Sequence, residues 1–262
     1  MKIALCMKGK FSSGSKYAQT ENSEYSQIAY QFYKNNILDL NDVDVFVHSW
    51  DIEYKEEITN LYHPVDSTYD DNNTVITTSC GKRKLNDRSY SIVSNWYSIM
   101  KSVDLMRKHE QTNDMKYDLV VIGRFDVGIL EPIDFLTKTL SLDDTLYHSG
   151  PDPIHGVHCK CRRCTPSDPN YEIPDLLFFS SSDNIYKFSR LYEECDVDDI
   201  IKADSNHKSG AGFVKKIGLK RDCITQTKTF NEWTNLHHSG NITIVRWMDI
   251  CERDKLLEQI NR

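Results

Sequence analysis

The sequence predicts an α/β sandwich with a mostly parallel central sheet flanked by helices. Three observations predict it. Short apolar runs have the composition of strands buried on both faces, helical periodicity fills the stretches between them, and each run stops at a polar cluster. Residues 2–7 form the first run, ended by Lys8, Gly9 and Lys10. A helical pattern follows, with Tyr25, Ile28, Ala29, Phe32 and Tyr33 on one face. Residues 44–48, rich in β-formers, make a second strand closed by Ser49, Trp50 and Asp51, and residues 52–87 read as polar connecting structure. The clearest helix runs from about 88 to 110, where Ile92, Trp96, Ile99, Val103 and Met106 step by fours and threes. Residues 118–122 are a third buried strand, ending at Gly123, Arg124, Phe125 and Asp126. Residues 176–179 form another, after which Asp183 is placed to cap a helix carrying Ile185, Phe188 and Tyr192. A last helix is expected after Trp247.

The chain has 262 residues, with 32 Lys and Arg against 39 Asp and Glu, for a net charge of −7. That length is read as a single domain of 1–262. An acidic balance without a basic stripe argues against a nucleic-acid partner, whose phosphates need a cationic patch. No apolar stretch approaches the roughly 18 residues of a membrane span, so no membrane insertion is expected. The first run is also shorter than a signal-peptide core of about 7–15 residues, which points to a cytoplasmic protein with mostly reduced thiols.

In an open parallel sheet, ligands bind outside the carboxyl ends of the strands. Three polar clusters fall there: Lys8 to Lys10, His48 to Asp51, and Arg124 with Asp126. A carboxylate just beyond a buried strand, such as Asp126, is placed to hold Mn²⁺ or Mg²⁺, and Arg124 to clamp phosphate oxygens. The alternative is a strand-end turn with a solvated Arg–Asp pair.

A separate cluster gathers His155, His158, Cys159, Cys161 and Cys164 in a proline-containing loop at 150–173. Thiolate and imidazole are the preferred ligands of tetrahedral zinc, so a structural Zn²⁺ is expected, with a disulfide or unligated thiols as alternatives. The other five cysteines are scattered and read as small hydrophobes.

Several segments carry a resemblance: Ile3 to Cys6 with Gly9, residues 44–50, residues 94–101, residues 117–126 and residues 174–182. Together they resemble glycosyltransferases of the GT-A fold from bacterial polysaccharide clusters and large DNA viruses. Most such enzymes end the relevant strand in Asp-x-Asp, whereas Arg124 stands at the first acidic position here and Asp126 matches the second.

The resemblance implies transfer of a sugar from a nucleoside-diphosphate donor, with UDP favoured, to the hydroxyl of a glycan or glycoprotein. The sugar would be a hexose or a pentose such as xylose. Residues 1–130 would bind donor and 131–262 acceptor, in the host cytoplasm if the chain is viral. It implies a metal at Asp126 supported by Arg124, Lys8, Lys10 or Lys101, and a nucleotide lined by Lys8, Gly9, Lys10, His48, Ser49, Trp50 and Asp51. Trp50 would pack on base or ribose, or else be a core-edge aromatic. A late histidine, His237 or His238, would add a metal contact. An inverting mechanism needs a carboxylate base, for which Asp175 is the first candidate and Asp152 the second. Two further classes stay open: a nucleotidyltransferase, or a zinc-stabilised carbohydrate- or nucleotide-binding module on a degenerate transferase fold.

Overall fold

The computed structural model describes residues 1–12, 23–71, 87–129, 132, 141–148, 175–195, 197–202, 206–223, 238–239 and 242–244. Its centre is a seven-stranded sheet in the order β3-β2-β1-β4-β7-β6-β8. These strands are β1 (Lys2–Gly9), β2 (Asp42–Ser49), β3 (Asp66–Tyr69), β4 (Leu119–Arg124), β6 (Thr145–His148), β7 (Phe178–Ser180) and β8 (Lys220–Cys223). Six run the same way, and β7 alone is antiparallel to its neighbours β4 and β6. The α/β class with a mostly parallel sheet is therefore the observed one. A small second sheet joins β5 (Val127–Ile129), β10 (Ile242–Ile244) and β9 (His238–Ser239).

Alternation along β1 feeds two cores, one on each face of the sheet. Ala4 and Cys6 point with Phe46, Val120 and Ile122 toward the long helix α3 (Asp87–Asn113), which contributes Ile92, Trp96, Ile99, Val103 and Met106. Each of those five helix residues was placed on the apolar stripe by its spacing. Ile3, Leu5 and Met7 point the other way with Val45, Val47, Leu119 and Val121. There they meet Tyr33 of α1 (Glu24–Tyr33) and Ile58 and Tyr62 of α2 (Lys55–Tyr62). Burial on both faces explains why β1 and β4 read as unbroken apolar runs.

Two expectations are corrected. Residues 52–69 are more than connecting structure: they hold a short 3₁₀ turn, α2 and the edge strand β3. The late strand lies at Phe178–Ser180, and Ser181 rather than Asp183 precedes its helix α4 (Ser182–Ser189), leaving Asp183 in the first turn. Cys6 is a buried thiol whose proton affinity is pushed up by burial, in keeping with a small hydrophobe. The stretch after Trp247 lies outside the described residues.

Gly123 has a steric reason to be glycine. A Cβ there would stand 2.5 Å from the Tyr33 hydroxyl oxygen and 3.2 Å from the Met7 sulfur. The Tyr33 hydroxyl uses that space to donate to the Arg124 carbonyl at 3.1 Å, tying α1 to the end of β4.

Candidate active site

The parallel register brings three polar side chains into one row. Lys8 is the register partner of His48 on one side and of Arg124 on the other. All three continue the sheet face that carries Cys6, Phe46 and Ile122, so they lie against α3 at the carboxyl edge. The antiparallel β7 enters at that edge and carries Asp175 just before it.

Around Arg124 two cations meet two carboxylates. The Arg124 guanidinium grips Asp126 with two parallel bonds, Nε to Oδ1 and Nη2 to Oδ2, both 2.9 Å. Its Nη1 reaches Asp175 Oδ2 at 3.5 Å. Lys8 Nζ donates to Asn95 Oδ1 of α3 and, at 3.2 Å, to the Asp175 carbonyl, with Asp175 Oδ2 at 4.0 Å. Side-chain exposure is 2% for Lys8, 5% for Asp126, 10% for Asp175 and 18% for Arg124, so Arg124 is the member facing outward most. Burial pulls the Lys8 ammonium down to about 8, against the supporting charge of Asp175. Burial also opposes the Arg124 charge, but Asp126 and Asp175 outweigh it and hold the guanidinium firmly protonated.

Asn95 was not singled out as a site residue by the sequence. With its Oδ1 taken by Lys8, its amide Nδ2 is buried and has no hydrogen-bond partner among the described residues. Native proteins rarely leave such a donor unmade. Its signal in sequence was slight: a polar residue next to Trp96, one turn before Ser98 on the same helix.

A second network fixes the ends of β1 and β2. Gly9 adopts φ +100°, a conformation suited to glycine, and donates its N–H to Ser98 Oγ at 2.9 Å. Ser98 Oγ lies 2.7 Å from His48 Nδ1, and His48 Nε2 lies 3.2 Å from Asp70 Oδ2, which also accepts from Tyr97 at 3.1 Å. Because Asp70 accepts, the network assigns the imidazole proton to Nε2, and Nδ1 accepts the Ser98 hydroxyl. Burial lowers the proton affinity of His48, with the like charge of Lys101 adding to it against Asp70. The His48 hydrogen bond lowers that of Asp70.

Both groups thus hold protons less tightly in the fold than in the unfolded chain, and stability falls as pH drops below the ordinary imidazole value of about 6.5. The melting temperature should decline between about pH 6.5 and 5 in the wild type and decline less in His48→Gln. Equal slopes in the two proteins would show that His48 does not carry this dependence.

The remaining candidates fall in different places. Trp50 is 7% exposed, its indole stacked on Tyr97 (5.2 Å, 29°) and edge-on to His48, so it belongs to an aromatic cluster at the rim of the core. Asp51 is buried, and its Oδ2 accepts both the N–H (2.6 Å) and the hydroxyl (2.9 Å) of Ser12. Burial pushes its carboxyl up in spite of those bonds. Ser49 accepts the Asp51 N–H at 3.1 Å, so these residues fold the loop after β1 onto β2. Lys10 is exposed at the end of β1, and Lys101 stands on α3 with its ammonium 5.8 Å from the centre of the Tyr97 ring. Asp152, His155, His158, Cys159, Cys161, Cys164 and His237 lie outside the described residues. His238 is described by its backbone alone: it pairs with Thr243, which pairs with Gly128 two residues beyond Asp126.

The donor set does not fit a divalent cation at Asp126 as it stands. Both carboxylate oxygens already accept from Arg124, and Asp175 is turned to Arg124 and Lys8. Among the described residues, no group of three or more His, Cys, Asp or Glu side chains is placed to hold a metal ion.

No family model matches the chain, and no curated protein matches it. Solved structures similar in trace exist. One is the crystal structure of mouse Xyloside xylosyltransferase 1, apo form, with 9% identity, a TM-score of 0.48, and coverage of 97% of this chain and 99% of that one. A likeness of that degree sets no chemistry, and the functional reading rests on the site itself. Among the described residues, no helix is long and apolar enough to cross a membrane.

Proposed function

We propose that the chain is a glycosyltransferase that binds a nucleoside-diphosphate sugar at the carboxyl edge of its sheet and transfers the sugar to a glycan hydroxyl. The observation that carries this reading is the buried quartet of Lys8, Arg124, Asp126 and Asp175 beside the Asn95 amide, which is unpartnered among the described residues. The unspent groups there are donors. A sheet edge that offers donors suits a ligand rich in acceptor oxygens, and a diphosphate is such a ligand. The segments that resemble GT-A enzymes contain Asn95, Arg124, Asp126 and Asp175, and Lys8 stands between Cys6 and Gly9 of the first of them.

In this reading Arg124 bonds the diphosphate and Asn95 donates to it, while Lys8 lends positive charge from beneath. Lys10 and Gly9 line the approach after β1. Asp175 is held at longer range than Asp126 and takes the proton of the attacking hydroxyl. The oxygen then bonds to the anomeric carbon as its bond to the diphosphate breaks, with inversion. UDP is the favoured donor nucleotide, and a hexose or pentose is the transferred group.

A donor-hydrolysis screen over UDP- and GDP-sugars tests it, with released nucleotide as the readout. One donor should be consumed, and Asp175→Asn should lower turnover by about 10²–10⁴-fold while still binding nucleotide. No turnover of any donor together with no nucleotide binding would remove the reading in favour of a non-enzymatic module.

A further inference from the structure

We infer that the Arg124 guanidinium takes the part of a divalent cation at this site, so that nucleotide binding needs no added metal. The inference rests on the donor-binding reading above. Its ground is the way Asp126 is used. A cation held by Asp126 must coordinate through carboxylate oxygens, and both are engaged in a two-point fork with Arg124 at 2.9 Å. Fork-on-fork pairing of this kind is charge-assisted and directional, and the pair is almost fully shielded from water on the Asp126 side.

Charge balance points the same way. Two carboxylates, Asp126 and Asp175, are already matched by two cations, Lys8 and Arg124. A dication bound there before any nucleotide would leave a buried excess of positive charge beside Lys8, whose ammonium burial already disfavours.

Arg124 also has donors left to give. Guanidinium carries five N–H groups. One on each nitrogen is engaged: Nε and Nη2 by Asp126, Nη1 by Asp175. The second N–H of each terminal nitrogen is unspent among the described residues, on the quartet's most exposed side chain. Asp126 is thus a positioning residue that aims a fixed cation at the place where diphosphate charge grows. A guanidinium so held needs no reorganisation when that charge appears.

The test is calorimetric titration of the full chain with UDP and with GDP, in EDTA and again with saturating Mn²⁺. A gain from Mn²⁺ smaller than about fivefold for the nucleotide that binds supports the inference. A larger gain overturns it and leaves the donor-binding reading standing. Absence of binding to either nucleotide under both conditions overturns both. The comparison uses one unaltered protein, so no variant's folding enters it.

Discussion

An Arg124→Gln protein should lose at least about tenfold in nucleotide affinity and also about 3–5 kcal/mol of stability. Both losses come from one cause. Glutamine supplies no charge and cannot form the fork, so Asp126 remains buried at 5% exposure without its cation. Removing one partner of a buried pair costs far more than the pair contributes as a whole, because an uncompensated charge is left behind. Arg124→Lys separates the two: it restores a positive charge within reach of Asp126 but not the two-point geometry. It should recover part of the stability and little of the binding. Urea unfolding and calorimetry read the two quantities independently, and wild-type affinity in Arg124→Gln would exclude Arg124 from the donor site.

Lys8→Met should behave differently, with nucleotide affinity down about tenfold or more and stability nearly unchanged. Its buried ammonium is pulled down to about 8, below the ordinary lysine value of 10.5, so the folded state disfavours that charge. The sign follows from linkage: the unfolded chain binds the proton more tightly, so Lys8 costs stability below about pH 8, and the cost eases as pH rises toward 10.5. Methionine removes that cost and fills similar volume. Against it stand the lost donor to Asn95 Oδ1 and the lost counter-charge at Asp175. A protein that folds as well as wild type yet binds nucleotide poorly would mark Lys8 as kept for binding. A large fall in melting temperature with intact binding would mark it as structural.

Much of this architecture was legible in the sequence because burial leaves a periodic trace. Residues 2–7 and 118–122 could hardly be other than inner strands, and the four-three spacing from Ile92 to Met106 fixed which side of α3 meets the sheet. β3 was illegible for a physical reason. Asp66, Ser67, Thr68 and Tyr69 form an edge strand that is half-buried throughout, so no apolar alternation marks it. The reversed direction of β7 was equally hidden, since chain polarity leaves no mark in composition.

At the site, position was readable and partnership was not. Lys8, His48, Arg124 and Asp126 were found because strands end there. Of the two readings the pair allowed, one was a solvated Arg–Asp turn; the pair does form, but buried rather than solvated. Asn95, Ser98 and Asp70 matter through contacts 87, 89 and 22 residues away in the chain, which no local pattern encodes. Trp50 illustrates the converse: conspicuous in sequence, it is engaged by Tyr97 and His48 within the fold.

The alignment of Lys8 between His48 and Arg124 also bears on how the chain finds its native arrangement. Successive residues of a strand face opposite ways, so sliding β1 by a single position would swing Lys8 among the aliphatic side chains beneath Tyr33 and present Met7 to the acids. Greasy segments such as 3–7 and 119–122 would otherwise accept several offsets at similar energy. A buried ion group at their tips penalises every offset but one, and so the atoms proposed to meet a ligand also act as a vernier for threading the sheet's middle strands.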